Sequence, residues 1–289
     1  FTYFLAFARL APIQVVLLGH PDTTGIATVD YFITSRLESR RAQQRYTERI
    51  HYMRGLGTVF IDHFSHLVST PLSSSRTVLM ERTKFIDSEN LPRASHLYMI
   101  AEPLYKLHSK FDEILIKLLI QDKLAYILIL DSTNHTSRQR LFINRLGDNR
   151  NEEYKSRIQF VTSSLVTHHY RAMSASHVLL DPFPSSGYLA PLQALSFGVP
   201  VITMPTEYMS GRLAYTLYDI IGYKDLVVNN IDEYVSLALK IAHKPKLRAN
   251  YVSQIMTRKH RLFDSKNATT DWNNFIEKNV KPKLLSSMK

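Results

Sequence analysis

The sequence predicts an α/β protein of doubly wound parallel sheets, and three observations carry that expectation. Through its second half, short β-branched apolar runs alternate with amphipathic stretches at every step. The chain has 289 residues, whereas one domain usually takes roughly 100–200, so two compact units are expected. Hydrophobic residues make up 45% and charged residues 21%, enough apolar surface for a large core and unlike the composition of disordered chains.

Each element follows in order. The opening FTYFLAFARL is apolar, carries Arg9 and is too short to cross a bilayer; beginning at Phe1 rather than Met, it reads as an internal start or a partial gene. IQVVLLG, residues 13–19, predicts a buried parallel strand, and HPDTTG a loop turned by Pro21, Asp22 and Gly25. ATVDYFITS nearly alternates. SRRAQQRYTERIHYM is helical in composition, with Ile50 and Met53 at helical spacing from Tyr46, and TVFID, residues 58–62, predicts another strand. Residues 65–95 are polar and turn-rich, which places a boundary between units 1–88 and 89–289.

The second unit has a clearer rhythm. HLYMIA, AYILILD, RIQFV, HVLLD and PVITMP predict strands; KFDEILIKLLIQD, SRQRLFINRLG, THHYRAMSAS, YLAPLQALSF, EYMSGRLAYTLYDIIG and IDEYVSLALKIAH predict helices. TDWNNFIEKNV closes the chain as a last helix.

Composition excludes several functions. With no cysteine, neither disulfides nor zinc-thiolate sites can form, which fits an intracellular home, cytoplasmic or nuclear. No apolar run reaches the length of a spanning helix, so no membrane partner is expected. An excess of 36 Lys and Arg over 25 acids gives a net charge of +11, which suits an anionic partner or is simply solvated surface charge. The basic runs RLESRRAQQR, KPKLRAN and MTRKHR lack the interleaved aromatics of a base-stacking platform, so no nucleic-acid partner is expected. There is no G-x-G-x-x-G among nine glycines, and no Walker A loop, H-E-x-x-H or G-x-S-x-G. A D-x-D pair for a metal-held diphosphate is also missing, so a transferase of this sequence would neutralise its leaving diphosphate with protein groups and need no metal.

The most informative stretch is HVLLDPFPSSGYLAPLQALSFGVPVITMP, residues 177–205. A strand ends at Asp181, a small-residue loop follows, and a helix begins near Tyr188. Free N–H groups at a helix start suit a diphosphate; the same pattern is also the ordinary connection of any doubly wound sheet.

This stretch resembles the diphosphate-binding segment of the O-linked N-acetylglucosamine transferase and SPINDLY family. Three other segments agree, in the family's order. RLAPIQVVLLGHPDTTGIATVDYFITS is similar to its A-P-[IV]-Q strand and G-[HY]-P-x-T-[TS]-G loop, LYKLHSKFDEIL to its L-[YF]-K-[LI] motif, and SRIQFVTSSLVTHHYRAM to its uracil-binding stretch. The resemblance covers residues 9 to about 265. It implies a GT-B enzyme of two Rossmann-like domains, the first incomplete here, moving a sugar from a UDP- or GDP-type donor, foremost N-acetylglucosamine from UDP-GlcNAc, onto Ser or Thr of a protein acceptor, with inversion and without metal or other cofactor.

By position the resemblance assigns Lys106 to the donor β-phosphate, where a cation stabilises the leaving group most in the transition state; a lone loop lysine is otherwise a solvated surface residue. His169 would stack on the base, with His168 as the competitor if the register shifts by one. Ser186, Gly187, Tyr188, Leu189 and Gln193 would line the nucleotide, and Gly19, His20, Pro21, Thr23 and Thr24 the sugar pocket, although Pro21 and Gly25 serve a plain turn equally well. The chain departs from the family at the helix start, where Leu189, Ala190 and Gln193 replace Thr side chains and a carboxylate, and at Val166, where animal enzymes carry lysine. The family's general-base segment and its tetratricopeptide array for protein substrates lie upstream of the A-P-I-Q strand and outside this chain. The rival expectations are a degenerate member that only binds or scaffolds, and a basic nucleic-acid module whose affinity would fall steeply with salt.

Overall fold

A computed structural model of the chain describes residues 2–17, 20–55, 57–62, 75–131, 136–146, 152–161, 166–263 and 266–287. Among these residues, eight strands form two separate parallel sheets. The first has the order β1 (Val15–Val16), β2 (Tyr31–Ser35), β3 (Arg49–Met53). All five residues of central β2 are buried, as expected of a strand paired on both edges.

The second sheet comprises β4 (His96–Ile100), β5 (Ala125–Leu130), β6 (Ile158–Val161), β7 (Val178–Leu180) and β8 (Val201–Ile202), in the order β6-β5-β4-β7-β8. From β4 the chain winds outward through β5 and β6, then returns to β7 and winds the other way. The helices, in chain order, are α1 (Thr2–Leu5), α2 (Ser75–Ser88), α3 (Ser109–Gln121), α4 (Thr136–Leu146), α5 (Glu152–Lys155), α6 (Val166–Ala175), α7 (Leu189–Ser196), α8 (Leu213–Ile221), α9 (Ile231–His243), α10 (Pro245–Arg258), α11 (His260–Phe263), α12 (Lys266–Phe275) and α13 (Lys281–Ser287).

The main core lies around β4, whose Leu97, Tyr98, Met99 and Ile100 are fully enclosed. Helix α3 covers it with Phe111, Ile114, Leu115 and Leu118, the spacing of one helical face. Arg145 forks onto both oxygens of Asp112 at 2.7 and 2.9 Å and ties α4 to α3. Helix α8 stops at Gly222, whose φ of +67° is the left-handed conformation that glycine adopts freely.

The end of the chain returns to the first sheet. Phe275 packs with Tyr31, Ile33 and Met53 in a second, smaller core. Trp272 Nε1 donates to the Gly57 carbonyl at 2.8 Å, and Arg54 pairs with Asp271 at 2.8 Å. Helix α12 therefore covers the first sheet with the end of the chain.

The sequence reading of the second unit agrees strand by strand with the structure, and that of the first needs correction. The run 39–53 is not a helix: after a 3-10 turn at Ala42–Arg45, Tyr46 is extended, and β3 pairs with β2 from Arg49↔Tyr31 to Met53↔Ser35. Pairing with a buried neighbour overrides weak helical propensity. Residues 58–62 form no strand, because they reach across to other elements: Thr58 and Phe60 meet Tyr188. Within the turn-rich stretch, residues 75–88 form α2, packed against α6. The strand expected at 13–19 is ordered as a strand only at Val15–Val16, while Leu18 and Gly19 lie outside the described residues. The helix expected from Glu207 starts only at Leu213, after a 3-10 turn.

Candidate functional site

In an open α/β sheet a ligand crevice opens beyond the carboxyl ends of the two strands where the winding reverses. Here those strands are β4 and β7, and beyond them lies a cleft of about 440 Å³. Lys106 comes from the 3-10 turn after β4, His169 and Tyr170 from α6, and Tyr188, Leu189, Ala190 and Gln193 from the start of α7.

The loop between β7 and α7 is shaped by one buried carboxylate. Asp181 accepts from the Ser186 hydroxyl at 2.8 Å, the Gly187 N–H at 2.8 Å and the Thr203 hydroxyl at 2.6 Å. Burial pushes Asp181 up to about 7 against the pull of those hydrogen bonds. Ser186 also accepts from Ala214 N at 3.0 Å, and its own N–H donates to Ser210 O at 2.7 Å. The polar groups of Ser186 and the N–H of Gly187 thus hold the loop in shape. The groups that face the cleft begin one residue later.

No side chain caps α7. The N–H groups of Leu189 and Ala190 are in its first turn, where no intrahelical acceptor exists, and Pro191 next to them has no N–H to satisfy. This positive helix end and Lys106 flank the same cleft, an arrangement suited to an anion. Between them stands Glu102, a buried carboxylate 2.9 Å from Lys106 Nζ. Glu102 also lies so close to Gly187 that any Cβ there would collide with its carboxylate oxygen.

His169 lines the cleft, whereas its neighbour His168 turns to α2, with Nε2 3.6 Å from Glu89 and its ring 6.0 Å from Phe85. Gln193 Nε2 reaches the Tyr170 hydroxyl at 3.4 Å, and the Tyr170 ring stands edge-on to Phe197. Tyr188 lines the cleft as well. Its hydroxyl lies 2.8 Å from Thr58 Oγ1, its ring 5.5 Å from Phe60, and burial pushes it up to about 12.

Of the residues expected around the sugar, Pro21, Thr23 and Thr24 are engaged by neighbouring groups of the first sheet's loops. Thr23 and Thr24 donate their hydroxyls to Glu48, Thr23 at 2.7 Å, and Thr24 N donates to it at 2.8 Å. Burial alone would raise Glu48, but the bonds from Thr24 and Thr23 outweigh it and hold the carboxyl below its ordinary range. Pro21 O accepts from the Tyr46 hydroxyl at 3.2 Å. Thr23 lines a second cavity, of about 160 Å³, with Asp22, Arg45, Tyr46, Tyr208 and Met209. His20 is exposed, and Gly19 is outside the described residues. The loop 20–25 therefore faces the loop after β8, and none of its residues lines the Lys106 cleft.

Four residues of this arrangement escaped the sequence reading as functional: Glu102, Tyr170, Glu48 and Asp181 as the loop's organiser. Glu102 stood four residues before Lys106, and Asp181 at a strand end before Ser and Gly, which were the available signals.

Two parallel sheets, the second carrying an anion-suited crevice at its point of reversal, define the class as a GT-B-type glycosyltransferase fold. An O-GlcNAc transferase from Thermobaculum terrenum superposes with a TM-score of 0.77 at 19% identity, covering 98% of this chain and 51% of that one. WaaG, a glycosyltransferase of lipopolysaccharide biosynthesis, superposes with a TM-score of 0.56 at 10% identity, covering 90% of this chain and 65% of that one. The chain belongs to glycosyl transferase family 41, whose model matches residues 4–87 and 83–272. A probable UDP-N-acetylglucosamine–peptide N-acetylglucosaminyltransferase SPINDLY of Petunia hybrida is 28% identical over an alignment of 244 positions that covers 81% of this chain and 24% of that protein. A probable UDP-N-acetylglucosamine–peptide N-acetylglucosaminyltransferase SEC of Arabidopsis thaliana is 26% identical over an alignment of 250 positions that covers 83% of this chain and again 24% of the relative. The chain thus spans about a quarter of the length of these relatives. No helix among the described residues is long and apolar enough to cross a membrane.

Proposed function

We propose that this chain is the donor-binding part of a protein O-glycosyltransferase that moves N-acetylglucosamine from UDP-GlcNAc to Ser or Thr hydroxyls, with inversion and without a metal. The observation that carries the reading is the meeting of Lys106, His169, Gln193 and the open start of α7 in one cleft at the sheet's reversal point. In this reading the acceptor oxygen attacks the anomeric carbon as the bond to the β-phosphate breaks. Lys106 and the N–H groups of Leu189 and Ala190 take up the charge that develops on the leaving diphosphate. His169 stacks on the base and Gln193 meets the ribose. Residues 1–88 are the last part of the facing domain and 89–289 the nucleotide-sugar domain. The acceptor-side base and the protein-recruiting repeats belong to the rest of a longer, intracellular protein, a compartment that suits a cysteine-free chain.

A second reading, a family member that binds without catalysis, draws on the Glu102–Lys106 pair and on the apolar Leu189 and Ala190 at the helix start. Release of UDP from UDP-GlcNAc by the full-length protein separates the two, and calorimetric titration with UDP tests the donor site on which both rest. Micromolar affinity that falls at least tenfold in Lys106→Ala supports that site. Affinity that is millimolar or undetectable, and the same in Lys106→Ala, rules the donor site out.

A further inference from the structure

At the other end of the second sheet, away from the cleft, three side chains from three elements converge. His96 begins β4, Asp122 follows the last turn of α3, and His243 ends α9. Asp122 Oδ2 lies 2.8 Å from His96 Nδ1 and 3.3 Å from His243 Nε2, and one ligand atom from each of the three residues falls within 4.8 Å of the others. We propose that His96, Asp122 and His243 form a binding site for a divalent transition metal, zinc by the nature of its ligands.

Two imidazole nitrogens and one carboxylate oxygen are the donors that zinc takes when a fourth position is left to water. Bonds of about 2.0 Å set tetrahedral ligand–ligand edges of about 3.3 Å. The His243–Asp122 separation already equals that edge, and the His96–Asp122 separation needs to open by about half an ångström. The supporting contacts are those of a metal carboxylate: the Tyr98 hydroxyl donates to Asp122 Oδ2 at 2.8 Å and Leu124 N to Oδ1 at 3.0 Å. Access is open through His243, whose side chain is 46% exposed, while that of Asp122 is 1% exposed. The adjacent His177 is held by the backbone instead, its Nδ1 accepting from Leu97 N at 3.0 Å. Arg248, at the same end of α9, donates to the carbonyls of Ile241 and Ala242. A metal here would join β4, α3 and α9 far from the transfer chemistry, so its role is to stabilise the fold.

The test is zinc titration by calorimetry on the full chain, first stripped with a chelator, with Co2+ absorption as the reporter of geometry. One equivalent of zinc is expected to bind at micromolar affinity or tighter and to raise the Tm, and Co2+ to give a tetrahedral spectrum. His96→Ala and His243→Ala should each weaken zinc at least tenfold; His243→Ala, at a half-exposed position, should keep the Tm of the metal-free protein. Zinc binding equally tight in both variants would assign the metal to other histidines and overturn the proposal, as would affinity no better than millimolar in the unaltered chain. UDP affinity is read separately, so either result leaves the donor-site reading standing or falling by its own titration.

Discussion

Replacing Glu102 with Gln should tighten UDP binding. The carboxylate of Glu102 is buried beside the start of α7 and holds Lys106 Nζ at 2.9 Å, so the cleft's lysine is already neutralised by an internal anion. A diphosphate bound between Lys106 and α7 must share the lysine with Glu102. Two unit charges about 5 Å apart repel by about 3 kcal/mol at an effective dielectric constant of about 20. The Lys106 side chain is 39% exposed, so solvent and salt screen part of this. A net gain of about 1–2 kcal/mol remains, or roughly 5- to 30-fold in Kd. Glutamine keeps the shape and one hydrogen-bond acceptor while removing the charge. The assay is calorimetry with UDP at fixed ionic strength on the unaltered protein, Glu102→Gln, Lys106→Ala and the double variant. A gain that comes from direct Glu102–phosphate repulsion persists in the Lys106→Ala background, whereas one that comes from competition for the Lys106 ammonium vanishes there. Weaker UDP binding in Glu102→Gln would refute the reasoning, since it would mean that Glu102 orients the ammonium for phosphate rather than competing with it.

The two adjacent histidines should separate in the same assay: His169→Ala weakens UDP by about 1–2 kcal/mol, the range of base stacking on a ring, and His168→Ala, facing α2, leaves it unchanged. Equal effects would place the base elsewhere. Stability should carry a signature of Asp181. Its folded-state value is raised to about 7, while the unfolded carboxyl releases its proton near an ordinary value of about 3.9. The native state therefore holds the extra proton between those values, and the Asp181 contribution to stability declines as pH rises from about 4 to about 7. Asp181→Asn, uncharged throughout, should flatten that decline in Tm measured across this range; parallel profiles would show that Asp181 is ionised in the folded protein at all these values.

Sequence patterns found the second sheet because its strands are buried on both faces and read as continuous apolar runs, as in HLYMI and AYILIL. They failed for residues 39–62 because nothing local distinguishes a strand that forms only beside β2, or an extended segment whose Thr58 and Phe60 bind Tyr188. The candidate site divides the same way. Lys106, His169 and Gln193 were legible through motifs and do share one cleft, whereas the Glu102 carboxylate beside Lys106 and the attachment of Thr23 and Thr24 to Glu48 were not.

By itself, then, the sequence determined the family, the alternation of strand and helix, and which motifs lie after which strands, since these depend on local periodicity and order along the chain. Only the tertiary structure decided that His169 rather than His168 enters the cleft, that Ser186 and Gly187 bind Asp181, and that Glu102 stands beside Lys106 in the cleft. Those outcomes depend on which buried polar groups find partners among residues distant in sequence, and a buried carboxylate must be satisfied wherever the fold puts it.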